Sequence, residues 1–295
     1  MTRLGLIGAG RWGKNIIRTL ESFPGAKLAR IAGRQDWQQA AHARDLDGLI
    51  IATPPASHFE IAQTAVEAGL PVLVEKPVTM EPGQARALLD LAQRRRVLVM
   101  VDQLFLFHPA YTALKEKARE LGPIKSISSW GGNWGPFRQD VSPLWDYAPH
   151  DIYLCLDLLE ARPSSVHAQL KASREVEGGR GENWLLQLDF KSGAGAELHS
   201  NNLSDKKQRR LEVYFETQAL VFDDQAGAKL VLHELKGGAL GPGQALKTDS
   251  NAPLNAVLRT FIESIQTGNR DLSGLRLAVD VVEILSGCSA SSRQP

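Results

Sequence analysis

The sequence predicts an α/β protein with two domains. Up to about residue 104, short apolar runs alternate with helix-like segments, a pattern typical of a parallel sheet covered on both faces. After about residue 105 the hydrophobic period shortens to two, which indicates an open, mainly antiparallel sheet in an α+β domain. A chain of 295 residues is long enough for two ordinary domains. We therefore predict a Rossmann-like domain over residues 1–104 and a substrate-binding domain over residues 105–295, whose last helix is free to pack back on the first.

The first domain reads as five buried strands joined by helices. The strands are predicted at residues 3–8, 26–32, 47–52, 72–75 and 97–101. Trp12, Ile16 and Leu20 recur at helical spacing after the first strand. Ser57 and Thr79 are placed to cap two later helices.

One part of this domain is unusually short. Only residues 33–46 separate the second strand from the third apolar run, and residues 36–43 look like a single helix. A full Rossmann half would need a helix, a strand and a second helix here. In the 3-2-1-4-5-6 strand order the missing strand is an edge strand, so the sheet survives and the adenine side of the cofactor site becomes more open.

The second domain begins with a helix at residues 109–120. Two later segments then alternate apolar and polar residues, one with Trp184, Leu186 and Leu188 and another with Leu211 and Val213. Two amphipathic helices close the chain. The Gly-rich, polar residues 236–252 between the sheet and these helices are predicted to form a long loop.

Composition excludes several function classes. Lys and Arg number 34 against 33 Asp and Glu, so there is no electrostatic reason to expect nucleic acid or an anionic membrane as a partner. Cys155 and Cys288 are far apart and have no metal-site or CxxC spacing, which suggests two core thiols in a reducing compartment. No apolar run approaches the ~18 residues of a membrane span, and Met1 leads directly into a strand rather than a signal peptide. We therefore expect a cytoplasmic protein with no metal.

The first strand is followed by Gly8-Ala9-Gly10-Arg11-Trp12-Gly13, a GxGxxG that opens the first helix. In this context Gly8 permits a tight turn, Gly10 lets a pyrophosphate approach the backbone, and Gly13 lets helix and strand pack closely. The helix N-terminus then offers N–H groups and partial positive charge to the phosphates. The alternative is a tight strand–helix turn without a ligand.

The acid that usually binds the ribose is missing from the end of the second strand, which reads Ala32-Gly33-Arg34. An arginine there can bind a 2′-phosphate, so the cofactor is predicted to be NADP, with NAD as the other possibility. The alternative is that Arg34 is a solvated loop residue. Asp36 lies close by and is placed to cap the next helix.

Four further segments follow in a specific order. They are Thr53-Pro54-Pro55-Ala56-Ser57-His58, Glu75-Lys76-Pro77, Phe107-His108-Pro109-Ala110 and Leu144-Trp145-Asp146-Tyr147-Ala148-Pro149-His150-Asp151. After a GxGxxG, this ordered set resembles the Gfo/Idh/MocA family of NAD(P)-dependent oxidoreductases nearly end to end. The resemblance implies a Rossmann domain, a substrate domain on an open sheet, and an active site between them.

The resemblance also implies roles for individual residues. Thr53, Pro54 and His58 are expected to lie along the cofactor, and Glu75 and Lys76 at the nicotinamide. A lysine beside the substrate hydroxyl would favour an alkoxide-like oxygen during hydride loss. Each role has a purely structural alternative. Pro54 and Pro55 would then form only a rigid turn, His58 would be a residue of a first helical turn, and Lys76 would be a surface lysine at a strand end.

Asp146 and His150 are four residues apart, so one helical turn can place both on one face. The resemblance implies His150 as the general base, which suits the ordinary pKa of histidine, ~6.5, and Asp146 as the residue that orients substrate or imidazole. Alternatively, Asp146 caps the helix and His150 packs in its first turn, since Pro149 suggests a helix start. Arg138, in the preceding Gly-rich loop, is available for an anionic substrate group. The other histidines are expected to be structural or exposed.

The resulting hypothesis is an enzyme that transfers a hydride between a nicotinamide cofactor and a secondary hydroxyl or ketone of a sugar, nucleotide sugar or cyclitol. The alternative is a non-catalytic dinucleotide- or sugar-binding regulator on the same fold, which the shortened cofactor half would favour. We also expect a homo-oligomer, a dimer or tetramer. Leu185, Tyr214 and Leu220 are predicted on or near the outer face of the second sheet, and exposed apolar patches often mark interfaces.

Overall fold

Two β-sheets organise residues 1–291, the part of the chain that the computed structural model describes. The first sheet belongs to a unit made of Met1–Leu104 and Ala252–Glu283. The second belongs to a unit made of Phe105–Asn251 and residues 284–291. Residues 252–283 thus group with the first unit, whereas the division expected from the sequence ran in one cut after residue 104. No helix within residues 1–291 is both long and apolar enough to cross a membrane.

The elements are numbered in chain order. The strands are β1 Thr2–Ile7, β2 Ala26–Ala32, β3 Gly48–Ile51, β4 Val72–Glu75, β5 Val99–Asp102, β6 Ser126–Trp134, β7 Ser165–Val176, β8 Gly179–Asp189, β9 Gly195–Asn201, β10 Leu203–Tyr214, β11 Gln218–Asp223, β12 Leu230–Lys236 and β13 Ala239–Ala245. The helices are α1 Arg11–Glu21, α2 Trp37–Ala41, α3 His58–Glu67, α4 Pro82–Arg95, α5 Pro109–Ala118, α6 Pro143–Leu159, α7 Pro253–Thr267 and α8 Ser273–Ser291.

The first sheet is parallel throughout, in the order β2-β1-β3-β4-β5. All four residues of β3 are buried, as expected of a central strand covered on both faces. The segment between β2 and β3 contains only the five-residue α2. The prediction of a Rossmann-like sheet that lacks the edge strand beyond β2 is confirmed.

Helix α7 packs on the first sheet through its apolar stripe. A Cβ at Gly48 in β3 would lie 2.6 Å from Ile265 and 3.1 Å from Phe261, so the helix approaches the strand at a position where only glycine fits without displacement. Phe261 is fully buried. A helix from near the other end of the chain therefore covers part of the sheet of the first unit.

The second sheet has the order β13-β12-β11-β10-β6-β9-β8-β7 and is antiparallel except between β6 and β9. Helices α6 and α5 cover one face of it. Leu186, Leu198, Leu211 and Phe222 are buried at 1% exposure or less. The prediction of an open, mainly antiparallel sheet is confirmed.

The predicted loop at 236–252 is wrong over its first half. Strand β12 runs to Lys236, and β13 returns from residue 239 to 245 after a turn at Gly237 and Gly238, both with positive φ. Strand β13 is the sheet edge, where Pro242 needs no ladder donor and glycines are tolerated. The sequence predicts a loop here because the glycines and the proline of β13 give it the composition of a loop.

The placement of Leu220 on the outer face is also wrong. Leu220 pairs with Val213 across β10 and β11, and directly opposed residues share a face. It is therefore fully buried with Val213 under the helices. Tyr214 and Leu185 are half-buried.

Two predicted helix caps differ from the structure. Ser57 stands at the N-cap of α3, but its Oγ lies 2.8 Å from Thr53 Oγ1 and from the Pro54 carbonyl and makes no bond to the helix. Thr79 is not the cap of α4, which begins at Pro82 after Glu81. The Thr79 hydroxyl instead donates to the Glu81 carbonyl at 2.9 Å.

Candidate active site

The glycine loop joins β1 to α1 with the geometry that the sequence predicts. Gly8 has φ +97°, and a Cβ there would lie 2.5 Å from the Ala52 carbonyl oxygen. A Cβ at Gly13 would lie 2.0 Å from the Gly8 carbonyl oxygen, so helix and strand end are in close contact. Both positions therefore require glycine, one for its backbone conformation and one for the close approach.

The middle of the same loop is open. Gly10 is exposed at the N-cap of α1, and a Cβ there would meet nothing within 4 Å. The first turn of α1 carries no acidic residue, and Arg11 is exposed within it. N–H groups with a nearby cation and no competing carboxylate are well suited to a pyrophosphate, so this loop fits a dinucleotide.

Two carboxyl groups lie together at the carboxyl end of the sheet. Glu75 and Asp102 are register neighbours in β4 and β5, and Trp12 Nε1 donates to Asp102 Oδ2 at 3.3 Å. Burial raises the pKa of Glu75 well above its usual range, and the nearby charge of Asp102 raises it further. Burial also raises the pKa of Asp102, while hydrogen bonds from Glu75 and Trp12 and the charge of Lys76 oppose the rise. Both pKa values are therefore raised, that of Glu75 more strongly, so this strand end binds a proton more readily than two exposed carboxyl groups would.

Lys76 directly follows Glu75 at the end of β4 and is half-buried, and the Lys76–Pro77 peptide is cis. His58 is fully buried beneath this point. Its Nδ1 lies 2.8 Å from the Pro77 carbonyl and its Nε2 lies 2.8 Å from the Thr53 carbonyl. The histidine joins the backbone of Thr53 to that of Pro77, which is buried next to the half-buried Lys76.

The end of β2 is organised by an acid from the following turn. Asp36 Oδ1 accepts the Gly33 N–H at 2.6 Å and makes no capping bond to α2. Arg34 lies between them and is exposed. The structure thus presents an arginine, and no carboxylate from the strand end itself, where a ribose acid usually stands.

Asp146 and His150 occur on one helix in the second unit. Helix α6 begins at Pro143 with Ser142 at its N-cap, and Pro149 lies inside it. The interpretation of Pro149 as a helix start is therefore wrong, because the helix continues through it. Both Asp146 and His150 are half-buried one turn apart, on the face that the spacing predicts.

Arg138 is held by a neighbouring acid. Its Nε and Nη2 donate to the two carboxylate oxygens of Asp140 at 2.9 and 2.7 Å. This hydrogen bonding raises the pKa of Arg138, with Asp146 contributing a smaller charge effect, and lowers the pKa of Asp140. The guanidinium is therefore oriented by a bidentate contact before any substrate group reaches it.

Sequence reasoning missed the group that surrounds His150. Tyr153 Oη lies 3.0 Å from His150 Nδ1 and accepts the Phe105 N–H at 3.0 Å. Arg209 pairs with Asp151 at 2.7 Å, both almost fully buried, and burial raises the pKa of Asp151 even though Arg209 opposes this. The i, i+3 spacing of His150 and Tyr153 was the one available signal, since Phe105 and Arg209 come from distant segments.

The structure therefore gathers the predicted residues into two groups, each within its own unit. The glycine loop, Thr53, Pro54, Glu75 and Lys76 follow carboxyl ends of the parallel strands, and Asp146 and His150 share α6. Of the remaining histidines, His108 accepts the Ala110 N–H at the start of α5, and His199 stacks on Trp130. Within residues 1–291, no cluster of three His, Cys, Asp or Glu side chains is arranged to hold a metal.

Two family models match the chain. Residues 33–103 match the model described as "Oxidoreductase family, NAD-binding Rossmann fold". Residues 116–221 match the model described as "GFO/IDH/MocA C-terminal domain". Together they account for more than half of the chain and fall on the two units in the order that the fold requires.

Two curated relatives match over much of their length. One is the UDP-N-acetylglucosamine 3-dehydrogenase of Acidithiobacillus ferrooxidans, 25% identical over 75% of this chain and 71% of that protein. Another is the scyllo-inositol 2-dehydrogenase (NAD(+)) of Bacillus subtilis, 26% identical over 68% of both chains.

Solved structures show the same fold over nearly the whole chain. A protein from Magnetospirillum magnetotacticum MS-1, named only as an oxidoreductase, is 37% identical with a TM-score of 0.91 over 97% of this chain and 99% of that one. GenD2 from gentamicin A biosynthesis, in complex with NAD, is 22% identical with a TM-score of 0.83 over 99% and 94%. Biliverdin reductase of Synechocystis sp. PCC 6803, in complex with biliverdin and NADP+, is 17% identical with a TM-score of 0.81 over 99% of both chains.

Proposed function

This chain belongs to the Gfo/Idh/MocA family of NAD-binding oxidoreductases, and from that premise we propose that it transfers a hydride between a nicotinamide cofactor and a secondary hydroxyl or ketone of a sugar, nucleotide sugar or cyclitol. The two curated relatives support this substrate class, since one is named for a nucleotide sugar and the other for a cyclitol. The fold by itself does not support a choice of substrate, because a biliverdin reductase shares it.

The observation that carries the proposal is the pair of half-buried polar residues on α6. Asp146 and His150 lie one turn apart, and Tyr153 fixes one ring nitrogen of His150. In the oxidative direction His150 accepts the proton of the substrate hydroxyl while the carbon of that hydroxyl loses its hydride. Asp146 orients the substrate, and Arg138, held by Asp140, is available to an anionic part of it.

Lys76 is proposed to act on the same hydroxyl oxygen. Negative charge develops on that oxygen as its proton leaves, and an ammonium group stabilises the charge. The half-buried position of Lys76 at the end of β4 supports this role, because a partly desolvated cation interacts more strongly than an exposed one.

The cofactor is proposed to lie along the carboxyl ends of the first sheet, and when bound it supplies the hydride acceptor. The residues proposed to hold it are Gly8, Gly10, Arg11, Trp12, Gly13, Arg34, Thr53, Pro54, Glu75 and Lys76. We assign His58 to the same site through the backbone of Thr53 and Pro77, since its side chain is fully buried. The exposed Arg34 favours NADP over NAD, since its charge can pair with the 2′-phosphate. We therefore expect Arg34→Ala to weaken the binding of NADP and to reduce the preference for NADP over NAD.

The function is tested by Lys76→Met. We expect binding of the cofactor, followed by tryptophan fluorescence, to stay within several-fold of wild type, while turnover on a panel of sugars, nucleotide sugars and cyclitols falls by at least ~10²-fold. Lys27→Met, at an exposed position near the amino end of β2, is the matched control and should keep full turnover. Unchanged turnover in Lys76→Met would remove this lysine from the mechanism.

The chain is further proposed to work in the cytoplasm as a homo-oligomer that associates through the outer face of the second sheet. Leu185 and Tyr214 support this interface, because they are half-buried on the face that α5 and α6 leave uncovered.

A further inference from the structure

We propose that Tyr153 is a positioning residue that holds His150 with its Nδ1 protonated, so that Nε2 is the nitrogen that takes the substrate proton. This inference rests on the proposed function only for the identity of the proton donor. The position of the imidazole and its tautomer can be measured without substrate.

The first support is the pair of hydrogen bonds on one phenolic oxygen. Tyr153 is 1% exposed, and its Oη accepts the backbone N–H of Phe105 at 3.0 Å and lies 3.0 Å from His150 Nδ1. The backbone donor fixes the oxygen in place because it cannot rotate away as a side chain would. The His150 ring is therefore held through an atom anchored to the main chain of another segment.

The second support is the packing around the imidazole. The Phe105 ring stands nearly perpendicular to it, at 89° with centroids 5.1 Å apart, and the Tyr153 ring meets it at 82° and 5.7 Å. The Arg209 guanidinium lies 4.7 Å from the Phe105 ring centroid and is itself fixed by Asp151 at 2.7 Å. The Phe105 ring that packs against His150 is thus also in contact with a guanidinium held by a buried ion pair.

The chemistry of the proton transfer selects the tautomer. A histidine that has just accepted a proton carries hydrogen on both ring nitrogens, so Nδ1–H must then donate to Tyr153 Oη. If Nδ1 already holds its hydrogen in the neutral ring, the transfer to Nε2 requires no rearrangement of this bond. A fixed hydrogen bond at one nitrogen sets the role of the other in the same way in catalytic triads.

This arrangement also favours the charged ring. A hydrogen bond accepted from the imidazolium stabilises it, so loss of Oη should lower the pKa of His150. The titratable and charged groups near His150 in the second unit include Asp146 and Asp151 on α6, and His108 and Arg209 contact the Phe105 ring that packs against the imidazole. None of these is removed when Tyr153 becomes Phe.

The test uses the full-length protein and two NMR measurements. In the wild type, the ring ¹⁵N shifts of His150, assigned by comparison with His150→Asn, should show the neutral form protonated at Nδ1. In Tyr153→Phe, the titration of His150 should shift down by about 0.5–1 pH unit, because the neutral ring also loses this hydrogen bond and only the extra strength of the bond to the charged ring appears in the titration. Tyr111→Phe is the matched control, because Tyr111 is equally buried and bonds to Asp157 on the same helix.

The outcomes separate the inference from the function. A neutral His150 protonated at Nε2 in the wild type overturns the inference, and this result does not depend on whether the variant folds. An unchanged titration in Tyr153→Phe overturns it as well. If the NMR results hold, the acid limb of the kcat/KM profile for oxidation should move by the same amount in Tyr153→Phe and stay in place in Tyr111→Phe. Full turnover in His150→Asn would overturn the proposed role of His150 as the base and leave the measured tautomer standing.

Discussion

At the scale of single residues, the paired carboxyl groups of Glu75 and Asp102 show how burial changes the pKa of acidic side chains in the first unit. Two ionised carboxylates on adjacent strand ends would repel each other, which favours protonation of the pair. Burial and this repulsion raise the pKa of Glu75 most strongly, whereas the rise at Asp102 is opposed by hydrogen bonds that include one from Trp12 of the glycine loop. The protonation of a strand end is therefore linked to the loop that is proposed to bind phosphate.

The proton on Glu75 should appear in the pH dependence of stability. Because the pKa of Glu75 is raised in the folded chain, its contribution is fully present below the ordinary pKa of about 4.5 and is lost as pH rises toward the folded value. In Glu75→Gln the amide can still donate to Asp102 but does not titrate. We expect its unfolding free energy to fall less steeply with rising pH, by up to about 1.4 kcal/mol per pH unit.

Urea unfolding between pH 5 and 9 measures this difference. Glu116→Gln, at an exposed position of α5, is the control and should follow the wild type at every pH. Parallel curves for Glu75→Gln and the wild type would contradict a raised pKa of Glu75 in the folded chain.

At the scale of elements, sequence periodicity was sufficient for the central strands and the long helices. The missing edge strand could be inferred because fourteen residues cannot hold a helix, a strand and a second helix. Strand β13 could not be predicted from the sequence, because an edge strand rich in Gly and Pro has the composition of a loop. Helix α6 began earlier than expected, since Pro149 signals a start by local propensity but is accommodated in the helix interior by tertiary packing.

The residues of the candidate site also differ in how far the sequence predicts them. Motif order located Lys76, Asp146 and His150, because their neighbours in the chain identify them. The partners Tyr153, Phe105 and Arg209 are defined by contacts between distant segments, which a single sequence without periodic signal does not reveal. His58 shows the reverse case, since a residue placed by motif proved to be buried against two carbonyls.

The buried ion pair between Asp151 on α6 and Arg209 on β10 should contribute to stability in a way that is seen when one partner is replaced. Asp151→Asn leaves the Arg209 guanidinium buried without a counter-charge, and we expect a loss of about 3–5 kcal/mol in unfolding free energy. Asp140→Asn breaks the more exposed pair with Arg138 and should cost no more than about 1 kcal/mol. Both values come from urea unfolding at one pH, and equal losses would show that the Arg209–Asp151 pair contributes no more than a surface contact.

At the scale of the whole molecule, the second sheet raises the question of what covers its outer face. Helices α5 and α6 pack on one side only. On the other side Leu185 opposes His199, which is stacked on Trp130, and Arg210, Glu212 and Tyr214 continue the row with mixed polarity. An apolar and polar mixture of this kind suits an interface between identical chains, which most often has two-fold symmetry.

We expect light scattering to show an oligomer at micromolar concentration. Leu185→Arg places a charge in the proposed interface and should shift the protein toward the monomer. Ile31→Arg, at a site 50% exposed on β2 of the first unit, serves as the control and should leave the assembly intact. A monomeric wild type would refute the proposal.

The division of the first unit between two distant stretches of chain has a consequence for how the protein is made. When the ribosome has released β5, the sheet already has all five strands, but the helix that covers Gly48 is still unsynthesised. The whole of the second unit up to Asn251 must be translated before α7 becomes available. Until then an apolar sheet surface stays open to water and to neighbouring chains, so this nascent protein should depend on chaperones for longer than its strand order alone would suggest.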